Sequence, residues 1–469
     1  MSADTAVKKA APTVGLAPTL AWASGSFATG ALFNAMALFG LFFMTSVLGI
    51  APAVAGTIIL IARVYDGIID PLIGAVSDRT QHRWGPRRIY LLIGALGLGA
   101  SFISFFSLGL LGVEGTQAGF LVTAVLLLYS TAYSIFSIPY LAMPPEIAPG
   151  YDERTRLMSF RVGFQLAGVM AGSVGAPALI EISGGGEQGG YQMMGLILGL
   201  AATALCLVVF IGAAWLPQSE RPQKDGPQKD GDVDAVSLLI SPFTDIAKVI
   251  GNAPFRLLTI IKLCQLAVLS TVLACTPYFF GFVLKLGPAQ ISEFYLVFGL
   301  VGLFSVPLYR WIIAKFGKRE SYIALILLYA VALASWIVWT PGEPKAFLFA
   351  RALAIGSFST GTLLCALAML PDTMEYDRIQ SGEAREGIMS GVWTFTENLA
   401  GALGPFIIGV LLQANGLIQS RDPSVEQPEA VLTAVHWGTS IVPAIFCVIA
   451  VPLLLRYRLD EATLERMRG

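Results

Sequence analysis

Two carboxylates, Asp66 and Asp70, stand four residues apart inside an apolar stretch of the sequence. In a helix this spacing projects both side chains from one face. A charged carboxylate at membrane depth costs about 3 kcal/mol or more, so the pair must face a cavity and bind a proton, a cation or a partner side chain. Carboxylate oxygens are the ligands that hard cations prefer. Asp66 and Asp70 are therefore predicted to bind Na⁺ or H⁺, with a Na⁺ metal site as the hypothesis.

An ion pair is the alternative role for these acids, because Arg63 precedes Asp66 by three residues. One arginine set against two carboxylates leaves a negative charge unmatched within the segment, which favours a cation or proton site. Pro71 has no N–H, so the carbonyl of Gly67 becomes available as a further oxygen ligand.

The segments that must position these acids are apolar and long. The chain is 55% hydrophobic and 13% charged, against about 25% charged in soluble domains, and its mean hydropathy is +0.71. A membrane crossing needs about 20 apolar residues. Twelve stretches qualify, and they predict an all-α, multi-pass integral membrane protein: 18–48, 52–77, 89–110, 118–146, 157–182, 190–215, 254–284, 291–314, 321–341, 345–371, 386–414 and 430–456.

The chain is predicted to consist of two similar halves. A polar stretch, 216–253, contains Pro-Gln-Lys-Asp-Gly twice and is predicted to be a flexible linker. The sequence after the fourth span, 143–159, is similar to that after the tenth, 369–390. Two pseudo-symmetric six-helix bundles are the arrangement of the major facilitator superfamily, with the solute site between them. The predicted parts are a tail (1–17), a first bundle (18–215), the linker (216–253), a second bundle (254–456) and a tail (457–469).

The distribution of lysine and arginine predicts the orientation. These residues concentrate in the segments on the side of the membrane where the chain begins, and such segments are usually cytoplasmic. Both termini are therefore expected in the cytoplasm, in a plasma (inner) membrane protein. The polar first 16 residues lack the pattern of a removable signal peptide. The net charge of −1 gives no basis for binding nucleic acid.

A family resemblance lies in the run Arg63-x-x-Asp66-x-x-x-Asp70-Pro71-x-x-Gly74. It resembles the signature of the glycoside–pentoside–hexuronide:cation symporters, the melibiose permease-like family. A second stretch, from Asp372 to Gly387, resembles another signature of that family. The resemblance implies the major facilitator fold, no cofactor, and a coupling Na⁺, Li⁺ or H⁺ bound by Asp66 and Asp70.

The sequence departs from the family pattern where its sugar carriers hold other charged residues. Gly30 stands where an acid is expected in the first span, Ser137 where one is expected in the fourth, and Asn398 where a lysine is frequent in the eleventh. Because sugar hydroxyls need fixed polar partners, melibiose itself is not the expected solute.

Other polar residues of the spans are candidates to line a solute cavity. Glu397 is the other carboxylate expected deep in a span; it could act on a proton or solute, or pair with a cation of the seventh or fifth span such as Arg161. Lys262 could instead reach the membrane interface with its long side chain. The cavity candidates are Arg63, Tyr133, Ser137, Arg161, Gln265, Trp393, Thr394, Glu397 and Asn398.

Charged residues near the predicted cytoplasmic helix ends form a second group. They are expected to make ion pairs between the halves that hold an outward-open state and break when the protein opens inward. The alternative is that they are solvated loop charges of the kind found on cytoplasmic sides. The gate candidates are Asp78, Arg83, Arg88, Glu146, Arg154, Asp372 and Arg385.

The expected function is cation-coupled symport of a small, sugar-like solute by alternating access. The expected partners are the solute, a monovalent cation and the lipid bilayer, with a monomer as the expected state. A Na⁺-coupled lysophospholipid or amphiphile carrier is an alternative, since the first span is apolar around Phe33 and Met36. A non-transporting receptor or scaffold is another. No enzyme is expected, because the sequence shows no nucleophile–base set at membrane depth.

Overall fold

The computed structural model describes most of the chain. The described residues are 15–80, 82–85, 87–113, 115–148, 151–184, 188–214, 249–339, 342–382, 385–420, 425–459 and 466–467. The predicted first tail up to residue 14, the repeats of the predicted linker and most of the last tail lie outside the described residues.

Within that part of the chain, twelve helices are long and apolar enough to cross a bilayer, which confirms the predicted number. They are numbered in chain order: α1 Leu16–Val47, α2 Pro52–Arg79, α3 Arg88–Leu111, α4 Gly115–Leu141, α5 Glu153–Ile182, α6 Gln188–Gly212, α7 Ala253–Val283, α8 Pro288–Phe316, α9 Lys318–Val338, α10 Lys345–Ser381, α11 Glu386–Ala414 and α12 Glu429–Arg456.

Two helix ends differ from the prediction by five residues or more. Helix α4 ends at Leu141 rather than at 146, and a separate short helix, Pro144–Ile147, follows it. The cause is the proline at 144, which cannot donate a backbone hydrogen bond to the preceding turn. Helix α10 continues past 371 to Ser381, where Gly382 ends it with a φ of 68° and bonds to the Arg378 carbonyl. Its 37 residues span about 55 Å, well beyond a hydrocarbon core of about 30 Å.

The two halves pack in the same way. In the first, α1 contacts α5 and α6, α3 contacts α4 and α6, and α2 contacts α4. In the second, α7 contacts α11 and α12, α9 contacts α10 and α12, and α8 contacts α10. Each pair in the second half is a first-half pair shifted by six helices. The fold is therefore two pseudo-symmetric six-helix bundles.

Three helix pairs make most of the contacts between the bundles: α1 with α7, α2 with α11, and α5 with α8. We call the face where α1 begins the lower face and the opposite one the upper face. The hydrogen bonds between the bundles lie near the upper face. Thr45 and Tyr278 join α1 to α7 through their hydroxyls at 2.5 Å, and Ser292 donates to the Val174 carbonyl at 2.7 Å. The upper face is closed.

Glycines allow α2 and α11 to approach at their upper ends. A Cβ atom on Gly409 would lie 2.3 Å from the Pro52 carbonyl oxygen, and one on Gly56 would lie 2.9 Å from the Pro405 oxygen. Small residues commonly permit such backbone approach between membrane helices. This contact needs glycine at both positions.

Candidate functional site

A cavity of about 420 Å³ lies between the two bundles. Residues of α1 to α5 line it from the first bundle, and residues of α7, α10 and α11 from the second. The inter-bundle hydrogen bonds described above close its upper end. Toward the lower face, Glu397 of α11 keeps 42% of its side chain exposed, and Thr394, one turn below it on the same helix, is exposed as well. The cavity therefore opens to the lower face.

Asp66 is buried at the edge of this cavity, with 6% of its surface exposed. Its Oδ2 atom accepts a hydrogen bond from Arg63 Nη1 at 3.1 Å, and the guanidinium also lies over the Phe33 ring at 4.8 Å. Its Oδ1 atom is buried without a hydrogen bond of normal geometry, although Ser130 lies beside the carboxylate. The ion pair considered as an alternative is thus formed, and it engages one oxygen of Asp66.

Asp70 has a different partner. Its Oδ1 atom accepts a hydrogen bond of 2.5 Å from the Ser134 hydroxyl of α4. One turn higher, Tyr65 and Thr131 bond through their hydroxyls at 2.9 Å and fix α2 against α4. Two carboxylates beside serine hydroxyls form a set of hard oxygen donors that fits a small monovalent cation. The described residues contain no group of three or more His, Cys, Asp or Glu able to hold a metal, so such a site would use hydroxyl or backbone oxygens as well.

A second ion pair faces the cavity from the other bundle. Lys262 Nζ of α7 lies 3.5 Å from Glu397 Oε1 of α11, with the lysine side chain 1% and the glutamate side chain 42% exposed. The ammonium also lies 5.1 Å from the centre of the Trp393 ring. The interpretation that Lys262 reaches the membrane interface is therefore wrong. Of the two cations considered for Glu397, the structure pairs it with the one on α7 and not with Arg161.

Four of the predicted cavity residues line the cavity: Arg63, Tyr133, Glu397 and Asn398. Gln265 instead lies inside the second bundle, where it bonds to Thr362 at 3.2 Å and accepts from Tyr322 at 3.1 Å. Helix α7 is apolar on all sides, so its rotation could not be judged from the sequence.

The other four candidates also lie outside the lining. Ser137 donates to the Tyr133 carbonyl of its own helix, and the Trp393 ring packs against the Lys262 ammonium. Thr394 is exposed, and Arg161 lies one helical turn below the lining residue Gln165. These placements correct the predicted lining, since each depends on how its helix is rotated.

Some lining residues were missing from the predicted set. Besides Lys262, they include Asn34, Ser130 and Gln165. Asn34 bonds to Ser173 and so links α1 to α5. The available signal was that Asn34 is the one amide side chain in α1, whose other polar residues are serines and threonines.

The gate candidates lie near the lower face. Asp78 pairs with Arg87 at 3.0 Å and Asp372 with Lys318 at 2.6 Å, in both cases within one bundle. Arg83 lies over the Trp84 ring, Arg88 donates to the Phe210 carbonyl, Arg154 borders a shallow depression on α5, and Arg385 precedes α11. The side chain of Glu146 lies outside the described residues. Ion pairs between the bundles stay a prediction for the conformation in which the lower face closes.

This fold and its central cavity define a transporter of the major facilitator superfamily. Solved transporters share the fold: a bacterial homologue of the human lysosomal transporter Spinster has a TM-score of 0.68 at 13% identity, covering 96% of this chain and 98% of its own. The D-xylose–proton symporter has a TM-score of 0.62 at 14% identity, covering 93% and 98%.

The family model described as MFS/sugar transport protein matches residues 21–461. The chain therefore belongs to this family, as the glycoside–pentoside–hexuronide:cation symporter motif predicted. It is 28% identical to YagG of Escherichia coli, a candidate glycoside/cation symporter (94% of this chain, 91% of the relative). It is 26% identical to the isoprimeverose transporter of Lactiplantibacillus pentosus (93% and 87%) and 27% identical to a glucuronide carrier protein homologue of Escherichia coli (93% and 91%). The protein is an integral membrane transporter and not an enzyme.

Proposed function

We propose that this protein couples the entry of a monovalent cation, Na⁺ or H⁺, to the uptake of a sugar-like solute by alternating access. The observation that carries the proposal is the pair of carboxylates, Asp66 and Asp70, on one face of α2 at the central cavity. Arg63, which lines that cavity, pairs with Asp66. Asp70 instead accepts a hydrogen bond from the Ser134 hydroxyl. The names of relatives as symporters of glycosides support the same coupling.

Charge balance explains how the coupling would work. Asp66, Asp70 and Arg63 together carry one negative charge, and one bound monovalent cation brings the sum to zero. An unbalanced charge sealed away from water costs several kcal/mol. The closed intermediate through which the bundles exchange their opening is therefore disfavoured without the cation and accessible with it.

The lining of the cavity supports a sugar-like solute. Amide and hydroxyl groups of Asn34, Tyr133, Gln165 and Asn398 face it from several helices. Each can donate and accept hydrogen bonds, as hydroxyl recognition requires. The distribution of positive residues further supports cytoplasmic termini in an inner-membrane protein, so the lower face would be the cytoplasmic one.

Replacement of the acids tests the proposal. In membrane vesicles with an imposed Na⁺ or proton gradient, Asp66→Asn and Asp70→Asn are each expected to abolish gradient-driven uptake of radiolabelled glycosides. Each variant should still insert into the membrane, measured by quantitative immunoblotting. Glu293→Gln is the matched control, because Glu293 pairs with Lys345 on an exposed surface of the second bundle. Uptake that keeps its cation dependence in both aspartate variants would refute the assignment.

A further inference from the structure

The charges that face the cavity are already matched. Among the described residues, three charged side chains line it, Arg63, Lys262 and Glu397. Arg63 pairs with Asp66, and Lys262 pairs with Glu397. With a cation balancing Asp70, none of these groups is left to neutralise a charged solute. Binding an anionic group there would break one of the two pairs, which is costly in a buried setting.

Glu397 nevertheless offers a carboxylate to the cavity. Lys262 holds its Oε1 atom at 3.5 Å while 42% of the side chain is exposed. An ionised carboxylate accepts about four hydrogen bonds through its two oxygens, so it can receive neighbouring hydroxyls of a polyol. Asn398 follows it in the lining, and Gln165 stands in the lining contributed by the first bundle. This end of the cavity is a polar site for hydroxyl groups.

The upper end of the cavity is apolar. There the lining side chains include Met44 of α1, Phe105 of α3, Leu126 of α4 and Leu273 of α7. The polar Ser270, one turn below Leu273, donates its hydroxyl to backbone carbonyls. Leu273 stands eleven residues above Lys262 on α7, which corresponds to about 16 Å along the helix. The cavity thus changes from polar at its lower end to apolar at its closed upper end. None of these four apolar side chains can bind a sugar hydroxyl as Glu397 can.

We propose that the solute is an uncharged glycoside with an apolar aglycone. Its sugar hydroxyls bind Glu397, which Lys262 orients, and its aglycone lies in the apolar end between Met44 and Leu273. The inference rests on the proposed function of this cavity as the solute site, but it does not depend on which ion is coupled. It assigns the carboxylate for sugar recognition to the second bundle, on α11.

Matched ligands test the class of solute. Purified full-length protein in nanodiscs is titrated calorimetrically with methyl and phenyl glycosides of xylose, glucose and galactose, and with phenyl glucuronide. The phenyl form of the preferred sugar is expected to bind roughly tenfold tighter than the methyl form, because it buries a further apolar ring. Equal affinities, a preference for the glucuronide, or no binding by any glycoside would overturn the proposal.

Two variants separate the ends of the site. Glu397→Gln is expected to weaken the methyl and phenyl forms alike by roughly tenfold, whereas Ala37→Phe, which places a ring in the cavity toward Met44, should weaken only the phenyl form. Glu293→Gln is the control and should change neither. Should Glu397→Gln fail to fold with Lys262 unpaired, the double variant Lys262→Met/Glu397→Gln removes the stranded charge. Unchanged affinity in a folded Glu397 variant would refute its role.

The ion dependence distinguishes this inference from the proposed function. Titrations are repeated with Na⁺ replaced by choline at two pH values. A phenyl preference without any cation effect would leave the solute class standing and remove the coupling. A cation effect on uptake together with equal methyl and phenyl affinities would support the coupling and refute the proposed solute class.

Discussion

The side chains around the carboxylates of α2 hold them in different ways. Asp66 is paired with a guanidinium, whereas Asp70 is held by the neutral Ser134 hydroxyl. A neutral donor leaves the charge of Asp70 uncompensated, so this acid has more to gain from a bound cation. We therefore expect Asp70 to contribute more than Asp66 to cation binding, because its partner on α4 is neutral.

Ser134→Ala tests whether the Ser134 hydroxyl affects cation binding at Asp70. Removal of a hydrogen bond to a charged group costs about 1.5 to 3 kcal/mol, and this hydroxyl stabilises the ionised, cation-free Asp70, so the apparent affinity for the coupling cation is expected to rise by roughly tenfold. The measurement is uptake against cation concentration at a fixed solute concentration. Ser137→Ala, three residues further along α4, removes a hydroxyl bonded to the Tyr133 carbonyl and should leave the affinity unchanged. Equal effects from both substitutions would contradict a specific role for Ser134.

Arg63→Gln tests whether a cation can replace the guanidinium. It leaves the buried Asp66 without its partner, and such losses cost about 3 kcal/mol or more. The melting temperature of the purified variant should therefore fall, and Na⁺ should restore it more than it stabilises the unaltered protein. In the double variant Arg63→Gln/Asp66→Asn, both the fall in melting temperature and its response to Na⁺ should largely disappear. A melting temperature of Arg63→Gln that does not respond to Na⁺ or pH would count against a cation site.

The helices show what could be predicted from the sequence and what could not. Their number followed from hydropathy, because every crossing must satisfy its backbone hydrogen bonds internally and bury about 20 apolar residues. Their rotation did not follow, because an apolar helix such as α7 gives no amphipathic signal. Gln265 was therefore predicted to line the cavity and lies inside the bundle. For Lys262 a position at the membrane interface stayed open as an alternative, whereas the residue is buried beside Glu397. The carboxylates of α2 were identified because isolated acids in an apolar segment need a function.

Gly409→Ala tests the close approach of α2 and α11. The added Cβ would lie 2.3 Å from the Pro52 carbonyl oxygen, so the upper ends of the helices must separate. We expect a larger fraction of molecules open at the upper face, measured as faster maleimide labelling of Met44→Cys from that side. Gly391→Ala on the same helix meets open space and should not change the labelling. Identical rates in both variants would show that this contact does not control the opening.

The whole molecule is defined by the repeat of six helices. Corresponding helices pack alike in the two halves, and the contacts between halves use α1 with α7, α2 with α11 and α5 with α8. A rocking motion about the central cavity preserves the packing inside each bundle and exchanges only these three contacts. The similarity of the stretches after α4 and α10 already indicated this repeat from the sequence. Which face is closed could not be predicted in that way, because it depends on contacts between segments that are distant in the chain.

Impermeant labelling tests the predicted orientation of the molecule. The five cysteines are buried, so they should react slowly with a charged maleimide. Thr394→Cys, at the exposed position one turn below Glu397 on α11, is expected to react in inside-out vesicles and not in intact cells. Lys285→Cys, in the connection between α7 and α8, should show the opposite pattern. Labelling of Thr394→Cys in intact cells would place the lower face outside.

The closed upper face has one more consequence. The bonds that seal it, Thr45 with Tyr278, Ser292 with Val174 and the Ala53 N–H with Gln413, join uncharged groups, whereas the lower face carries the charged gate candidates. Dissolved salt screens the interaction between exposed charges, with a screening length of about 8 Å at physiological ionic strength. It has little effect on hydrogen bonds between neutral groups. When the lower face is cytoplasmic and its gate candidates pair between the bundles, as predicted, a rise in internal ionic strength should weaken closure at that end alone, so osmotic stress would lengthen the time the carrier spends open to the cytoplasm.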